Sequence, residues 1–212
     1  MSPQPSLTAA LTPAERTLLA SLRTPLAIQE FLDTVTYSTE NRYRSPLTVL
    51  RERVGHCYDG GVVAAALLRR LGHKPQVLVL IPNRRDDEHM LALYRVRGHW
   101  GAVAKSNFSS LRFREPVFRS VRELVMSYFE GYFNAAGEKT LRAYTAPLNL
   151  SRFDKQHWET DDAAMDLIAE ALDKGRKYPV VTPAQIRGLT RADARSVAAG
   201  LLGSDEAGLF KL

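Results

Sequence analysis

Residues 55–75 read GHCYDGGVVAAALLRRLGHKP and contain the single cysteine of the 212-residue chain. Apolar residues such as Val63 and Leu67 recur at helical spacing after Cys57. Gly72 is placed for a left-handed cap, and Pro75 prevents any continuation of the helix. The stretch therefore predicts a helix that begins at Cys57 and ends just before Gly72.

The segments after this helix have the pattern of β-strands. The continuous apolar run QVLVLIP, residues 76–82, predicts a central strand that is buried on both faces. HMLALYRV (89–96) and HWGAVAKS (99–106) flank Arg97-Gly98, which predicts a tight hairpin. The strands cluster in the middle of the chain instead of alternating with helices, so we predict an α+β fold with a small antiparallel sheet of about three strands.

Helical patterns lie on both sides of the strand region. Capping signals predict short helices near Thr12, Pro25 and Pro46, and Pro3 and Pro5 predict an irregular start. Further helices are expected over 119–133, over 162–174 and in the last forty residues. We predict a core in residues 1–150, with its centre at about 24–110, and a C-terminal helical extension, residues 151–212, that packs on the core.

The composition, 45% hydrophobic and 25% charged, is typical of a globular protein. One cysteine excludes an internal disulfide and any zinc site with two or more cysteines in one chain. The net charge is +6, but the basic residues are spread along the chain, which favours a solvated surface over a nucleic-acid interface. The acidic run at 86–88 is interpreted as a solvated loop, so no metal is expected. Neither a secretory pattern nor a membrane span of about 20 apolar residues is found, which predicts a cytoplasmic protein without a membrane partner.

A cysteine at the start of a helix has two interpretations. As a nucleophile, Cys57 would gain from the positive end of the helix dipole, which lowers a thiol pKa. The free N–H groups of the first turn would also stabilise an oxyanion. As a structural residue, Cys57 would be a small buried hydrophobic side chain. Its position alone leaves both interpretations open.

Of the five histidines in the chain, His89 is the favoured candidate for the general base that acts on Cys57. His89 begins a predicted strand directly after the acidic loop, where a rigid scaffold can hold an exposed side chain. The remaining histidines adjoin the cysteine, lie at the far end of the helix, follow the hairpin turn or sit in a segment without periodicity: His56, His73, His99 and His157.

The chain from about 24 to 110 resembles the transglutaminase-like superfamily of papain-type thiol enzymes. Gly55-His56-Cys57 matches the glycine, one further residue and the cysteine that precede the family's helix, and RRLGHKP (69–75) matches the end of that helix. The family then has a strand, a histidine that opens a hairpin, a glycine turn and a tryptophan. In this chain these positions are His89, Gly98 and Trp100.

This resemblance implies a papain-like α+β fold in which Cys57 is the nucleophile and His89 the base. Cys57 would attack an amide or ester carbonyl of a peptide or protein and form an acyl-enzyme, without any cofactor. Hydrolysis is favoured over cross-linking by the breadth of the family. His56, Tyr58, Asp59 and Ser106 are candidate cleft residues. The alternatives are a binding or scaffold protein that retains the fold without turnover and, third, a nucleic-acid-associated basic protein.

The third catalytic residue departs from the family pattern. Ala104 occupies the position at which the family usually has an aspartate. A two-residue turn would pair His89 with Ser106, whereas a three-residue loop would pair His89 with Lys105 and place Asn107 diagonally across. Asn107 is favoured because its amide can accept a hydrogen bond from an imidazole N–H, and Ser106 is the runner-up.

Overall fold

The structure is a computed structural model that describes residues 7–211, and the predicted irregular start at Pro3 and Pro5 lies outside that range. The described chain has a mixed helix and sheet architecture that fits the predicted α+β class. Its α-helices are α1 (Leu7–Ala10), α2 (Pro13–Ser21), α3 (Pro25–Asp33), α4 (Pro46–Glu52), α5 (Cys57–Arg70), α6 (Val121–Met126), α7 (Ala164–Asp173), α8 (Pro183–Arg187) and α9 (Ala194–Gly200). Short 3-10 helices cover Ser109–Leu111, Leu150–Gln156 and Glu206–Gly208.

The strands form one large antiparallel sheet and one small parallel pair. They are β1 (Thr36–Tyr37), β2 (Val54–Gly55), β3 (Gln76–Pro82), β4 (His89–Val96), β5 (His99–Val103), β6 (Arg114–Phe118), β7 (Leu141–Thr145), β8 (Leu148–Asn149) and β9 (Lys177–Pro179). The large sheet has the order β6-β5-β4-β3-β7-β9, and β8 pairs with β3 beside β7. β1 and β2 pair with each other in parallel. The sheet is therefore larger than the three strands expected from the sequence.

The predicted central hairpin is confirmed. β3 covers the whole apolar run, and β4 and β5 pair so that Val96 lies opposite His99. Arg97 and Gly98 form the two-residue turn with φ angles of 48° and 87°, as a type I′ hairpin turn requires. This register rejects the three-residue loop on which the placement of Asn107 diagonally across from His89 depended.

Both faces of the large sheet are covered, as the continuous apolar run predicts. Val77 and Val79 of β3 point to one hydrophobic cluster, which contains the buried face of α5, and Leu78 and Leu80 point to a second cluster on the opposite face. The aromatic side chains between 128 and 132 belong to the second cluster. Strand β3 therefore lies at the centre of the fold, with α5 packed on one side of it.

Close contact between α5 and the sheet depends on two glycines in the first turns of the helix. A Cβ atom on Gly60 would lie 2.2 Å from the Cβ of Lys105, and one on Gly61 would lie 2.5 Å from the Cγ of Met90. Because real Cβ atoms do not approach that closely, larger residues would push the start of the helix away from β4. The pair Gly60-Gly61 thus sets the distance at which Cys57 lies from the strand.

Two predicted segments differ from the structure. The helix expected over 119–133 is limited to α6, because the chain after Met126 turns repeatedly and buries Tyr128 and Tyr132 in the second cluster. Residues 151–211 are not only helical, because β9 adds an edge strand to the large sheet beside β7. Tertiary pairing and aromatic burial override the local helical pattern in these places. The boundary at residue 150 stays a prediction.

Residues after 150 also pack on the first hydrophobic cluster. Met165, Ile168 and Leu172 of α7 are buried there together with Trp158. The Tyr58 hydroxyl donates a hydrogen bond to the Met165 carbonyl oxygen at 2.6 Å. Within residues 7–211, no helix is long and apolar enough to cross a membrane.

Candidate active site

Cys57 is the first residue of α5, as the sequence predicts, and a buried carboxylate stabilises the chain just before it. Asp59 accepts hydrogen bonds from the backbone N–H of His56 at 3.2 Å and from the backbone N–H of Arg44 at 2.8 Å. The Arg44 guanidinium lies 3.5 Å from the same carboxylate and also pairs with Glu52. Asp59 is fully buried, so it stabilises the start of the helix from behind and does not line the cleft.

The Cys57 thiol lies against the beginning of β4. Its Sγ atom donates a hydrogen bond to the Glu88 carbonyl oxygen at 3.4 Å. Burial raises the pKa of the thiol to about 11, and the charges of Asp87 and Asp59 act in the same direction. At neutral pH Cys57 is therefore a thiol and not a thiolate, in contrast to the lowered pKa expected for a cysteine at the start of a helix.

The loop that presents Glu88 is held in place by the second hydrophobic cluster. The Tyr132 hydroxyl donates to the Asp87 carbonyl oxygen at 2.6 Å, and the Asp86 carboxylate accepts a hydrogen bond from Thr140. Burial raises the pKa of Asp86 to about 6. Residues 86–88 thus form a loop that is anchored through Asp86 and the Asp87 backbone, while the Asp87 and Glu88 side chains are exposed to solvent as predicted. Among residues 7–211, no group of three or more His, Cys, Asp or Glu side chains is arranged to hold a metal ion.

His89 begins β4 and is buried, with 4% of its surface exposed. Its Nε2 atom lies 2.8 Å from the backbone carbonyl oxygen of Leu111. Because a carbonyl oxygen only accepts hydrogen bonds, the ring proton resides on Nε2 and Nδ1 carries a free lone pair. Burial lowers the pKa of His89 to about 4, with a further contribution from the charge of Arg114. The neutral imidazole can therefore act as a proton acceptor at neutral pH.

Cys57 and His89 line the same cleft, which has a volume of about 520 Å³. Tyr37 and Tyr43 form part of its wall, and so do the predicted cleft residues His56 and Tyr58. Acidic residues at three positions also line the cleft: Glu40, Asp87 and Glu88. The structure thus brings the two predicted catalytic residues to one acidic and aromatic cleft.

The other predicted residues lie beside this pair and make different contacts. Asn107 forms two hydrogen bonds with the backbone of Asp205, and not with His89. Ser106 accepts a hydrogen bond from the Phe108 backbone N–H at 3.0 Å. Lys105 is buried and donates to the carbonyl oxygens of Leu32, near the end of α3, and Val35, just after it. Burial lowers the pKa of Lys105 to about 8.

Sequence reasoning missed two contributors to the site. The hydrogen-bond acceptor behind His89 is the Leu111 backbone oxygen, which lies 22 residues away in the chain and has no side-chain signature. Tyr37 lies beside the cysteine because β1 pairs with β2 and places Tyr37 opposite Gly55. Residues 37–46, YSTENRYRSP, are polar and have no apolar periodicity, so only their two tyrosines mark the segment in the sequence.

No protein-family model matches the chain, and the comparison with curated proteins finds no match. The chain is similar to solved structures of LapG from Legionella pneumophila. One is 14% identical, covers 49% of this chain and 75% of that chain, and has a TM-score of 0.36. An EGTA-treated LapG structure is 13% identical, covers 79% of this chain and 100% of that chain, and has a TM-score of 0.41. At these identities and TM-scores the likeness supports no conclusion about activity, so the function is inferred from the site alone.

Proposed function

We propose that this chain is a transglutaminase-like thiol hydrolase that cleaves an amide or ester bond of a polypeptide through an acyl-enzyme on Cys57. The observation that carries the proposal is the pairing in one cleft of a helix-start thiol with a neutral imidazole. The hydrogen bond from His89 Nε2 to Leu111 leaves Nδ1 able to accept a proton. This chemistry requires no cofactor.

In the first half of the reaction the thiol proton moves to Nδ1 of His89, and Sγ forms a bond to the substrate carbonyl carbon. The negative charge on the carbonyl oxygen is stabilised by backbone N–H groups of the first turn of α5, which have no acceptor within the helix. Collapse of the intermediate breaks the bond to the leaving amine or alcohol. The leaving group takes the proton from the imidazolium, and the acyl group stays on Cys57 as a thioester.

In the second half a water molecule replaces the leaving group. His89 Nδ1 accepts one water proton as the oxygen attacks the thioester carbonyl carbon. The carbon–sulfur bond then breaks, the thiolate of Cys57 takes the proton back from the imidazolium, and the carboxylic acid product leaves. An amine in place of water would give transfer instead of hydrolysis.

The charge of the cleft supports a polypeptide substrate over a nucleic acid. Glu40, Asp87 and Glu88 line the cleft, and none of the described residues that line it is a lysine or an arginine. Phosphate groups would be repelled there despite the net charge of +6. The volume of about 520 Å³ is also suited to several residues of a peptide chain and lies within the usual range for ligand sites.

The direct test is the formation of an acyl-enzyme from an activated ester such as p-nitrophenyl acetate. We expect a burst of p-nitrophenol in proportion to the protein and a thioester on Cys57 by mass spectrometry. His89→Ala should slow the burst by about 100-fold or more, since a positioned general base contributes that factor. Cys57→Ala should abolish the burst. An unchanged burst in Cys57→Ala, or the absence of one in the native chain, would refute the proposal.

The second candidate is a peptide-binding protein that retains the fold without turnover. Two observations favour it: the Cys57 thiol donates to the Glu88 carbonyl oxygen, and its pKa is raised to about 11. The acyl-enzyme experiment separates the two candidates, because a binding protein would give no burst and no thioester. Retention of peptides by the Cys57→Ala variant would then identify the binding role.

A further inference from the structure

The segment from Asp205 to Phe210 borders the cleft of the same chain. Ala207, Gly208 and Leu209 form part of the wall of the large cleft. Gly208 and Phe210 also line a smaller cavity of about 40 Å³ that is shared by Cys57 and His89. The segment is thus in contact with the space that a substrate would have to enter.

Asn107 holds this segment through its backbone. The Asn107 amide nitrogen Nδ2 donates to the Asp205 carbonyl oxygen at 2.8 Å, and the Asp205 N–H donates to Oδ1 of Asn107 at 2.7 Å. The carboxylate of Asp205 does not take part and instead accepts a hydrogen bond from the Ala207 N–H at 3.0 Å. Because both Asn107 bonds go to peptide groups, they select a polypeptide chain and not a particular side chain.

Three residues further on, the ring of Tyr37 leaves room only for a glycine. A Cβ atom on Gly208 would lie 2.6 Å from Cδ1 of Tyr37 and 3.1 Å from Nδ2 of Asn107. Tyr37 cannot easily give way, because β1 fixes its backbone opposite Gly55, two residues before Cys57. Asn107 and Tyr37 together therefore recognise a backbone and then a residue without a side chain.

Helix α9, which precedes the segment in the chain, is also held beside the cleft. Ser109 donates a hydrogen bond from Oγ to the Ala199 carbonyl oxygen in α9 at 2.5 Å. A Cβ atom on Gly200 would lie 2.9 Å from the ring of Phe133, so α9 packs directly on the aromatic residues next to His89. This anchoring keeps residues 205–210 at high effective concentration near the cleft.

We propose that Asn107 and Tyr37 form a peptide-binding subsite beside Cys57. This subsite takes a polypeptide that has glycine three residues after the residue whose backbone Asn107 binds. Residues 205–210 occupy the subsite as a tethered competitor. The assignment of that polypeptide as a substrate rests on the proposed thiol-hydrolase function. The binding of the polypeptide does not rest on that function, since it requires only the hydrogen bonds from Asn107 and the ring of Tyr37.

The test measures binding and not turnover. A fluorescent peptide with the sequence of residues 204–210 is titrated into chains that carry Cys57→Ala, and anisotropy is recorded. In one chain Gly208→Leu displaces the tethered segment from the ring of Tyr37. In a second chain the segment is removed by deletion of residues 204–212. The deletion covers the case in which Gly208→Leu disturbs folding, and circular dichroism checks both chains. A second peptide has leucine in place of the glycine.

We expect the peptide to bind both opened chains at least tenfold more tightly than the chain with its own segment in place. The leucine peptide should bind at least tenfold more weakly than the glycine peptide, and Asn107→Ala in the deleted chain should weaken binding of the glycine peptide by a similar factor. Equal affinity for the two peptides, no gain on opening the cleft, or no binding at all would overturn the inference. Binding without an acyl-enzyme would refute only the hydrolase, and an acyl-enzyme without binding would refute only the subsite.

Discussion

The Nε2 atom of His89 lies 2.8 Å from the backbone carbonyl oxygen of Leu111, so a peptide group orients the ring. A carbonyl fixes the tautomer as a carboxylate would, but it adds no full negative charge to stabilise an imidazolium. Burial and the charge of Arg114 then lower the pKa of His89 to about 4. The resting site consequently contains a neutral imidazole and a neutral thiol instead of an ion pair.

The first prediction concerns the pH dependence of acylation. The reaction needs neutral His89 and a protonated thiol whose proton His89 removes, so the rate of acylation should fall only below about pH 4. The rate should be level from there to mildly alkaline pH, because the thiol pKa is about 11. Burst rates with the activated ester, corrected with Cys57→Ala, measure the profile. An acid limb near the usual histidine pKa of about 6.5 would contradict the burial of His89.

The second prediction concerns stability and the protonation of His89. Its folded pKa of about 4 lies below the unfolded value, so the unfolded chain binds more protons between about pH 4 and 6.5. Stability from neutral His89 is therefore complete above this window and is lost as the pH falls through it, by about 3 kcal/mol. Asp86, whose pKa is raised to about 6, acts in the opposite direction.

Because Asp86 contributes in the opposite direction, the test compares the free energy of unfolding of the native chain with that of a His89 variant. Urea unfolding of the native chain and of His89→Gln at pH 7 and pH 4 gives the two free energies of unfolding. The advantage of the native chain over His89→Gln should shrink on acidification. A constant difference between pH 7 and pH 4 would argue against a strongly lowered pKa.

The third prediction concerns the reactivity of the thiol. Iodoacetamide reacts with the thiolate, and a pKa of about 11 leaves roughly 1 part in 10,000 ionised at pH 7. Alkylation of folded Cys57 should be slow at neutral pH and should rise about tenfold per pH unit well beyond pH 9. The same chain unfolded in urea is the reference, and Cys57 is its only thiol. A folded-state profile that levels near pH 8 to 9 would contradict this prediction.

The fourth prediction concerns the contact between α5 and the sheet. Gly60→Ala should destabilise the chain by about 2 kcal/mol, because overpacking outweighs the gain in helix propensity. The added methyl group would meet the Cβ of Lys105 at 2.2 Å. Gly188→Ala is the matched control, since its nearest neighbour would lie 3.7 Å away. Urea unfolding measures both, and a Gly60→Ala chain as stable as the native one would mean that α5 can shift freely.

Much of the fold follows from local sequence patterns. The helix from Cys57 to Arg70 was predicted from its apolar spacing and its Gly72 stop, and β3 was predicted from its continuous apolar run. The Arg97-Gly98 turn followed from the need for positive φ angles between two strands. These signals are strong because the residues that produce each element are neighbours in the chain.

Local sequence patterns do not predict the number of strands in the large sheet. Strands β6, β7, β8 and β9 are two to five residues long, and each exists because it pairs with a distant segment. The aromatic residues after Met126 have helical spacing, but burial against β3 and the hairpin gives them turns instead. Short strands and buried aromatic turns are decided by their partners and not by their own sequence.

The sequence by itself predicted Cys57 and His89 as the pair of the candidate site, from their places at a helix start and a strand start together with the motifs around them. Only the tertiary structure decided what surrounds them. Burial set the directions of both pKa values, the Leu111 carbonyl took the place predicted for Asn107, and Asn107 bound the backbone of Asp205. Desolvation and backbone hydrogen bonds depend on which segments meet in space, and side-chain identity along the chain does not encode them.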